Sequence, residues 1–198
     1  KTIFIFIIAY FFYIDGVGTV IHMATSYGTN LGLDTTGMII ALLVTQIVAF
    51  PCSIVFGRLS AKYDTALLIK VSILCYSGIA LFGMFLQQLW QFWLLAVLVG
   101  MFQGGIQALS RSYLAKIIPP ERSGEFFGLM DVFGKGASFM GLTLVALVSQ
   151  LTAGIQLHIF GLTLRNENIA VSSLTILFAI GFVLFCKADK LNRERVAK

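Results

Sequence analysis

Long apolar runs separated by short polar breaks dominate the chain, at about Thr2 to Thr25, Thr36 to Phe56, Ala66 to Gln87, Phe92 to Leu114, Gly124 to Leu151 and Ile169 to Cys186. Each is near the roughly 20 residues that a helix needs to cross a hydrocarbon core of about 30 Å. A membrane barrel would instead show segments of about 10 residues alternating polar and apolar positions. The runs are continuously apolar and about twice that length, so the pattern predicts an all-α membrane protein with six transmembrane helices. They form one bundle over residues 1–186, followed by a basic cytoplasmic tail over residues 187–198.

The breaks carry their own signals. Gly28, Asn30, Gly32 and Asp34 mark the first connection, and the third, around Gln87 to Gln91, is short enough to make helices 3 and 4 antiparallel neighbours. Pro119-Pro120 cannot continue a helix, and Ser123 and Glu125 suit the start of the next. Pro51 falls inside helix 2 and predicts a kink there.

Composition changes the solvent, not the elements. Hydrophobic residues make up 58% and charged residues 12% of 198 positions, and mean hydropathy is +0.92, against about 25% charged residues in soluble domains. The solvent is lipid. The net charge of +5 comes without the basic, aromatic-interleaved surface that nucleic acid needs; the cations sit at run ends instead. Lys1, Arg58, Lys62, Lys70, Arg111, Lys116, Arg122 and the five cations from Lys187 onward fall on one side of an alternating six-helix path. Only Arg165 falls on the other, and Lys135 lies within a helix. The positive-inside rule then places both termini in the cytoplasm. Cys52, Cys75 and Cys186 lie in apolar runs and make neither a disulfide framework nor a metal-ligand spacing. The chain opens on Lys1 with no signal-peptide cleavage pattern, which leads us to expect polypeptide upstream.

Ionisable side chains at mid-membrane cost about 2.5–3.5 kcal/mol on insertion scales, so Asp15, Asp131 and Lys135 need a reason to be there. At about 1.5 Å rise per residue, Asp15 lies roughly 20 Å into helix 1 and Lys135 roughly 18 Å into helix 5, and Gln46 and Gln103 reach similar depth from the other side. Asp15, Thr19 and His22 share one face, as do Gln103, Gln107 and Ser110, and Asp131, Lys135 and Ser138. Gln46 and Ser53 add a stripe on helix 2, whereas helices 3 and 6 carry no ionisable residue at their middles. The simplest arrangement has four helices facing a common polar space, with helices 3 and 6 toward lipid. Asp131 and Lys135, acid first at i, i+4, either neutralise each other in a packed interior or serve a ligand. Asp15 has no ionisable residue within a turn of its own helix. Gly100-xxx-Gly104, Gly124-xxx-Gly128, Gly134, Gly136 and Gly141 allow close helix packing, with hinge motion as the alternative. Tyr10, Phe11, Phe12 and Tyr13 read as core or lipid-facing rings, and Trp90 and Trp93 as an interfacial belt.

The connection after helix 2 reads Gly57-Arg58-Leu59-Ser60-Ala61-Lys62 and resembles the G-x-L-x-D-R/K gate motif of the major facilitator superfamily, with Ala61 in the acidic position and Asp64 a candidate substitute. The strings AYFFYIDGVGTVIHMAT, VTQIVAFPCSIVFGRLSAK and GMFQGGIQALSRSYLAKIIPPERSGEFFGLMDVFGKGASFMG resemble the C-terminal half of that superfamily's autophagy-linked vacuolar amino-acid effluxer-like branch, including its bacterial members. The resemblance covers nearly the whole chain. It implies one half of a twelve-helix fold, itself two inverted three-helix repeats, with substrate near mid-bilayer between halves.

That resemblance implies a secondary transporter half that moves a small solute, an amino acid being the candidate, by alternating access in an efflux-type protein. Asp15, His22, Gln46, Gln103, Gln107, Asp131 and Lys135 are the expected substrate- or proton-binding residues: Asp15 carries a proton or meets a cationic group, Lys135 attracts an anionic group, and Asp131 holds Lys135. Gly57, Arg58 and Lys62 are the expected cytoplasmic gate. The expected partners are the lipid bilayer, the small-molecule substrate, and an N-terminal six-helix half, a second copy or a larger membrane complex; no nucleic acid is expected. A bacterial inner membrane is favoured over a vacuolar one. The competing reading is a transporter-derived scaffold subunit that moves nothing. HExxH and GxSxG motifs are absent and His22 and His158 lie on different segments, so neither an enzyme nor a cofactor or metal is implied.

Overall fold

The computed structural model describes residues 2–196 apart from 31, 33, 87, 137, 153–156, 160, 161 and 165. Three of the topology cations, Lys1, Arg165 and Lys198, lie outside the described residues. The helices are α1 (Thr2–Asn30), α2 (Thr35–Lys62), α3 (Thr65–Met84), α4 (Leu89–Ile117), α5 (Ser123–Gly136), α6 (Ser138–Leu151), α7 (Asn166–Ser172) and α8 (Leu174–Val196). They make six spans long and apolar enough to cross a membrane, with α5 and α6 together forming the fifth and α7 and α8 the sixth. The six-helix expectation therefore holds. Strands Leu157–Ile159 (β1) and Leu162–Leu164 (β2) add a small antiparallel hairpin in the fifth connection that the apolar pattern does not announce.

Local chemistry sets the ends. Asp34 caps α2, its Oδ1 accepting from the Gly37 amide at 2.8 Å, and Asp64 caps α3 through the Ala66 amide at 3.0 Å. The Gln91 side chain accepts from the Gln88 amide at 3.0 Å where α4 begins. After α4, Pro120–Arg122 form one 3-10 turn before α5. Helix α2 is continuous through Pro51. Helix α8 runs on through the residues read as a tail, because its last turns are tied to α3: Asp189 takes Lys70 Nζ at 2.6 Å, and Arg193 bonds both Asp189 and Asp64.

Two tight helix pairs organise the bundle, α2 with α4 and α1 with α8. Without water to drive association, membrane helices gain stability by close packing at small residues. A methyl group at Gly100 would sit 2.6 Å from the Thr45 carbonyl oxygen, and one at Gly104 would sit 3.0 Å from that of Ala49. Thr45 Oγ1 donates to the Ala41 carbonyl at 2.9 Å and reaches the Ala96 carbonyl of α4 at 3.4 Å. Across the other pair Gly181 receives Tyr13 and Gly16 receives the Phe178 ring. Buried Phe6, Tyr113 and Phe185 join α1, α4 and α8, with ring centroids 5.0 to 6.0 Å apart.

The burden of exposure differs from the expected one. Helices α3 and α8, read as peripheral, are packed over 44% and 39% of their spans, whereas α2 is buried over only 17% and the α5–α6 span over 12%. Ile47, Phe50, Val132 and Phe139 stand 69 to 77% exposed on those two faces. Gly100→Ala is expected to lower stability by about 1–3 kcal/mol, because a backbone carbonyl must shift to admit the methyl group. Gly78→Ala, at a helix position open to space, is expected to be neutral or to gain up to about 1 kcal/mol; thermal unfolding in detergent compares the two.

Candidate functional site

The residues expected to form one polar layer divide into two groups. Asp15 and Thr19 are completely buried on α1, whereas Gln46, Gln107 and Lys135 are exposed and Asp131 is half-buried. Gln103 lies between these extremes, its Oε1 sealed from solvent without a hydrogen-bond partner. The split follows from the packing: α1 is enclosed by α4, α6 and α8, so Asp15 and Thr19 point inward while His22, expected on their face, is exposed; on α4 Gln107 is exposed, whereas Ser110, expected on the same face, is buried against α1.

On the open side, Gln107 and Arg111 stand one turn apart on α4. Arg111 Nη2 reaches Asp131 Oδ1 on α5 at 2.8 Å, the two side chains being 57% and 46% exposed. This corrects the expected pairing of Asp131 with Lys135. The guanidinium comes from the facing helix and takes the carboxylate, while Lys135, one turn further along α5, is exposed and makes no ion pair among the described residues. Arg111 is the site residue that sequence reasoning missed. It lies four residues beyond Gln107 and continues the α4 stripe, but it was grouped with the connection's cations. The result is a face bearing an amide, a paired guanidinium and carboxylate, and an unpaired ammonium. Ser138, placed on the same stripe, has its side chain outside the described set.

On the enclosed side, Tyr13 and Ser110 join α1 to α4. Ser110 Oγ donates to the Ile106 carbonyl at 2.6 Å, so the Tyr13 hydroxyl is the donor in their own 2.6 Å contact. Tyr13 is thus a polar cross-link in the core, a role that its aromatic run conceals. Asp15 bonds to neither Asp131 nor Lys135; neither of its oxygens has a partner of hydrogen-bond geometry, although the Gly141 amide of α6 faces the carboxylate.

The remaining expected residues are spread out. His22 is exposed toward the end of α1 opposite the basic end. Gln46 lines a small crevice of about 40 Å³ with Val20, Thr45 and Phe92. At the basic end Gly57, Arg58 and Lys62 are exposed at the close of α2, and no ion pair involves them among the described residues. Asp64 serves as the α3 cap and the partner of Arg193. It tethers α3 to α8. Among the described residues no group of three His, Cys, Asp or Glu is placed to hold a metal.

Six membrane-spanning helices with an uncovered polar face define an integral membrane protein of the transporter-bundle class. The chain belongs to the family described as vacuole effluxer Atg22 like, whose pattern matches residues 1–196. An uncharacterized MFS-type transporter, YxiO, of Bacillus subtilis is 45% identical over 184 residues, covering 93% of this chain and 40% of that protein. Autophagy-related protein 22-2 of Aspergillus fumigatus is 26% identical over 215 residues, covering all of this chain and 33% of the relative. Autophagy-related protein 22 of Saccharomyces cerevisiae is 26% identical over 168 residues, with 79% and 32% coverage. The chain thus spans a third to two fifths of the length of these relatives. The family is one of effluxers and transporters, not of enzymes.

Tyr13→Phe is expected to cost about 0.5–1.5 kcal/mol, since one hydrogen bond is lost while Ser110 keeps the Ile106 carbonyl. Arg111→Gln and Asp131→Asn, which break a half-exposed pair, are expected to cost no more than about 1 kcal/mol each. Chemical denaturation in lipid micelles measures all three, and a loss above about 2 kcal/mol for Arg111→Gln contradicts the open-face assignment.

Proposed function

We propose that the chain is the C-terminal six-helix half of a secondary transporter that moves a zwitterionic small molecule of amino-acid type by alternating access. The observation that carries this reading is the open face of Gln107, Arg111, Asp131 and Lys135 on membrane helices. Such a face is costly against lipid and needs a polar space beside it. A second bundle laid over α2 and α5–α6 supplies that space, and the relatives' additional length leaves room for one.

Within this reading Lys135, which has no acidic partner among the described residues, attracts the carboxylate of the ligand. The Arg111–Asp131 pair offers a carboxylate to the ammonium group when Arg111 turns aside, and Gln107 and Gln103 provide neutral hydrogen bonds. Amino-acid efflux fits the family's description as effluxers. Both termini face the cytoplasm, following the distribution of Lys and Arg, and the 45% identity to a Bacillus protein favours a bacterial inner membrane.

Uptake of radiolabelled leucine, tyrosine and lysine into proteoliposomes holding the protein expressed from its native gene tests the proposal. Lys135→Gln is expected to reduce uptake at least about tenfold, the equivalent of one lost charge-assisted hydrogen bond of about 1.4 kcal/mol or more. Gly78→Ala is expected to leave it unchanged. Equal uptake by wild type and Lys135→Gln overturns the assignment of Lys135. No uptake of any of the three, together with co-purification of one fixed membrane partner, supports the scaffold reading instead.

A further inference from the structure

An open pocket of about 390 Å³ lies at the basic end of the bundle, where α3 begins and α4 and α8 end. Thr65, Tyr113, Lys116 and Asn192 line it, together with the ion-paired Asp64, Asp189 and Arg193. None of the residues of the open face takes part in it. Tyr113 is what singles this pocket out. The residue is 4% exposed, its ring is held by Phe6 and Phe185 at centroid distances of 5.0 and 5.3 Å, and its hydroxyl is sealed without a hydrogen-bond partner. The charges of Asp189, Asp64 and Arg193 all act on that hydroxyl, so it faces the same side as the rest of the lining. A buried hydroxyl with no partner is destabilising until something supplies one.

The carboxylate oxygens around the pocket are already engaged. Asp189 Oδ2 accepts from Lys70 Nζ at 2.6 Å, and both Asp189 oxygens accept from Arg193 Nε at 3.3 Å. Asp64 Oδ1 accepts from the Ala66 amide at 3.0 Å and its Oδ2 from Arg193 Nη2. What is left over is donors. Lys116 Nζ donates to Thr65 Oγ1 at 2.7 Å and makes no ion pair among the described residues, which leaves it N–H groups to spare. The half-buried Asn192 amide makes no side-chain hydrogen bond among the described residues. Charge points the same way, because Lys70, Arg193 and Lys116 stand against Asp64 and Asp189, and the cation in excess is Lys116. Surplus donors from three helices and one uncompensated positive charge suit a tetrahedral oxyanion, whose acceptor oxygens spread in as many directions. The volume is also far above the roughly 30 Å³ share of one water.

We infer that this pocket is an oxyanion site that holds a phosphate group, carried by a phospholipid headgroup or free in the water beyond the membrane, with Lys116 as its charge partner and Tyr113, Asn192 and Thr65 as its hydrogen-bond donors. The pocket lies at the ends of three spans, the level at which headgroup phosphates sit and at which basic pockets between membrane helices take them. Bound there, the phosphate ties the last turn of α4 to the start of α3 and the end of α8. Among the described residues α4 is otherwise joined to this ion-pair network only by the bond from Lys116 to Thr65. The site is separate from the solute face and does not depend on the bundle moving a solute. By mass action a ligand that binds the folded bundle stabilises it.

The protein expressed from its native gene, purified in a neutral detergent and held at constant ionic strength, is titrated with three probes. These are inorganic phosphate, short-chain phosphatidylglycerol, and a diacylglycerol of the same chain length that lacks the phosphate. Thermal unfolding is expected to show a saturating stabilisation by phosphatidylglycerol alone where the source is a lipid, and by inorganic phosphate as well where it is the free anion. The diacylglycerol is expected to give none. Lys116→Gln is expected to raise the half-saturating concentration at least about tenfold, and Tyr113→Phe, which removes only the hydroxyl, about two- to tenfold. Lys187→Gln removes the same charge from an exposed position on α8 outside the pocket and is expected to leave it unchanged. Half-saturation is read from the shift each probe induces, so a variant of lower starting stability still reports. Phosphorus resonance linewidths give the same binding curves without unfolding the protein. No saturable effect of either phosphate-bearing probe, an equal effect of the diacylglycerol, or equal weakening by Lys187→Gln and Lys116→Gln overturns the inference. So does a half-saturation that neither Lys116→Gln nor Tyr113→Phe moves.

Discussion

Helices in lipid have no water to flee from, and this bundle is held by how closely its backbones approach. Gly100 and Gly104 admit α2 to α4 until a methyl group would meet a carbonyl oxygen. Gly16 and Gly181 do the same for α1 and α8. These contacts decide which polar groups are enclosed. Once α1 is clasped by α8 and α6, Asp15, Thr19 and Tyr13 have nowhere to point but inward. Gln107 of α4 and Lys135 of α5 fall on a side that no helix covers among the described residues, while Ser110 of α4 turns in to Tyr13. The division between an enclosed polar pair, Asp15 and Thr19, and an exposed polar face follows from packing as much as from polarity.

At the basic end a different interaction takes over. Lys70, Asp189, Arg193 and Asp64 link the start of α3 to the last turns of α8, and Lys116 Nζ donates to Thr65 Oγ1 at 2.7 Å to bring in α4. Asp64, Thr65, Lys116, Asp189 and Arg193 of this network line an open pocket of about 390 Å³. Its consequence is structural continuity: α8 stays helical to Val196, although its last two turns are polar enough to read as a tail. The loop motif that carries Gly57, Arg58 and Lys62 takes no part in this network.

The six spans, the connection at Asp34, the break at Pro119-Pro120 and the start of α5 at Ser123 were legible because run length and turn chemistry are local properties; that Asp34 and Asp64 cap α2 and α3 was not read from the sequence. Faces were legible only in part: spacing aligned Asp15 with Thr19, which are buried together, but it also joined His22 to them and Ser110 to Gln107, and the fold separates both. What spacing does not give is the neighbour of a face. Asp131 and Lys135 are ideally spaced on one helix, yet the carboxylate is taken by Arg111 from the next helix. Helices 3 and 6 lack mid-membrane charges, which reads as lipid contact, but Tyr76 and Phe178 stack between them with centroids 5.8 Å apart and are almost wholly buried. Apolar composition does not distinguish a lipid-facing surface from a packed one. Tyr13 was hidden by the same ambiguity within its aromatic run.

The central claim is that the face of Gln107, Arg111, Asp131 and Lys135 borders a water-filled space rather than lipid. A spin label at Gln107→Cys, in the protein expressed from its native gene and reconstituted in bilayers, tests this most directly through its collision rates with a water-soluble relaxant and with oxygen dissolved in the lipid. The account predicts strong relaxation by the water-soluble agent and weak relaxation by oxygen, with the reverse at a label on Leu74, an exposed position on α3. Oxygen-dominated relaxation at Gln107 would contradict it.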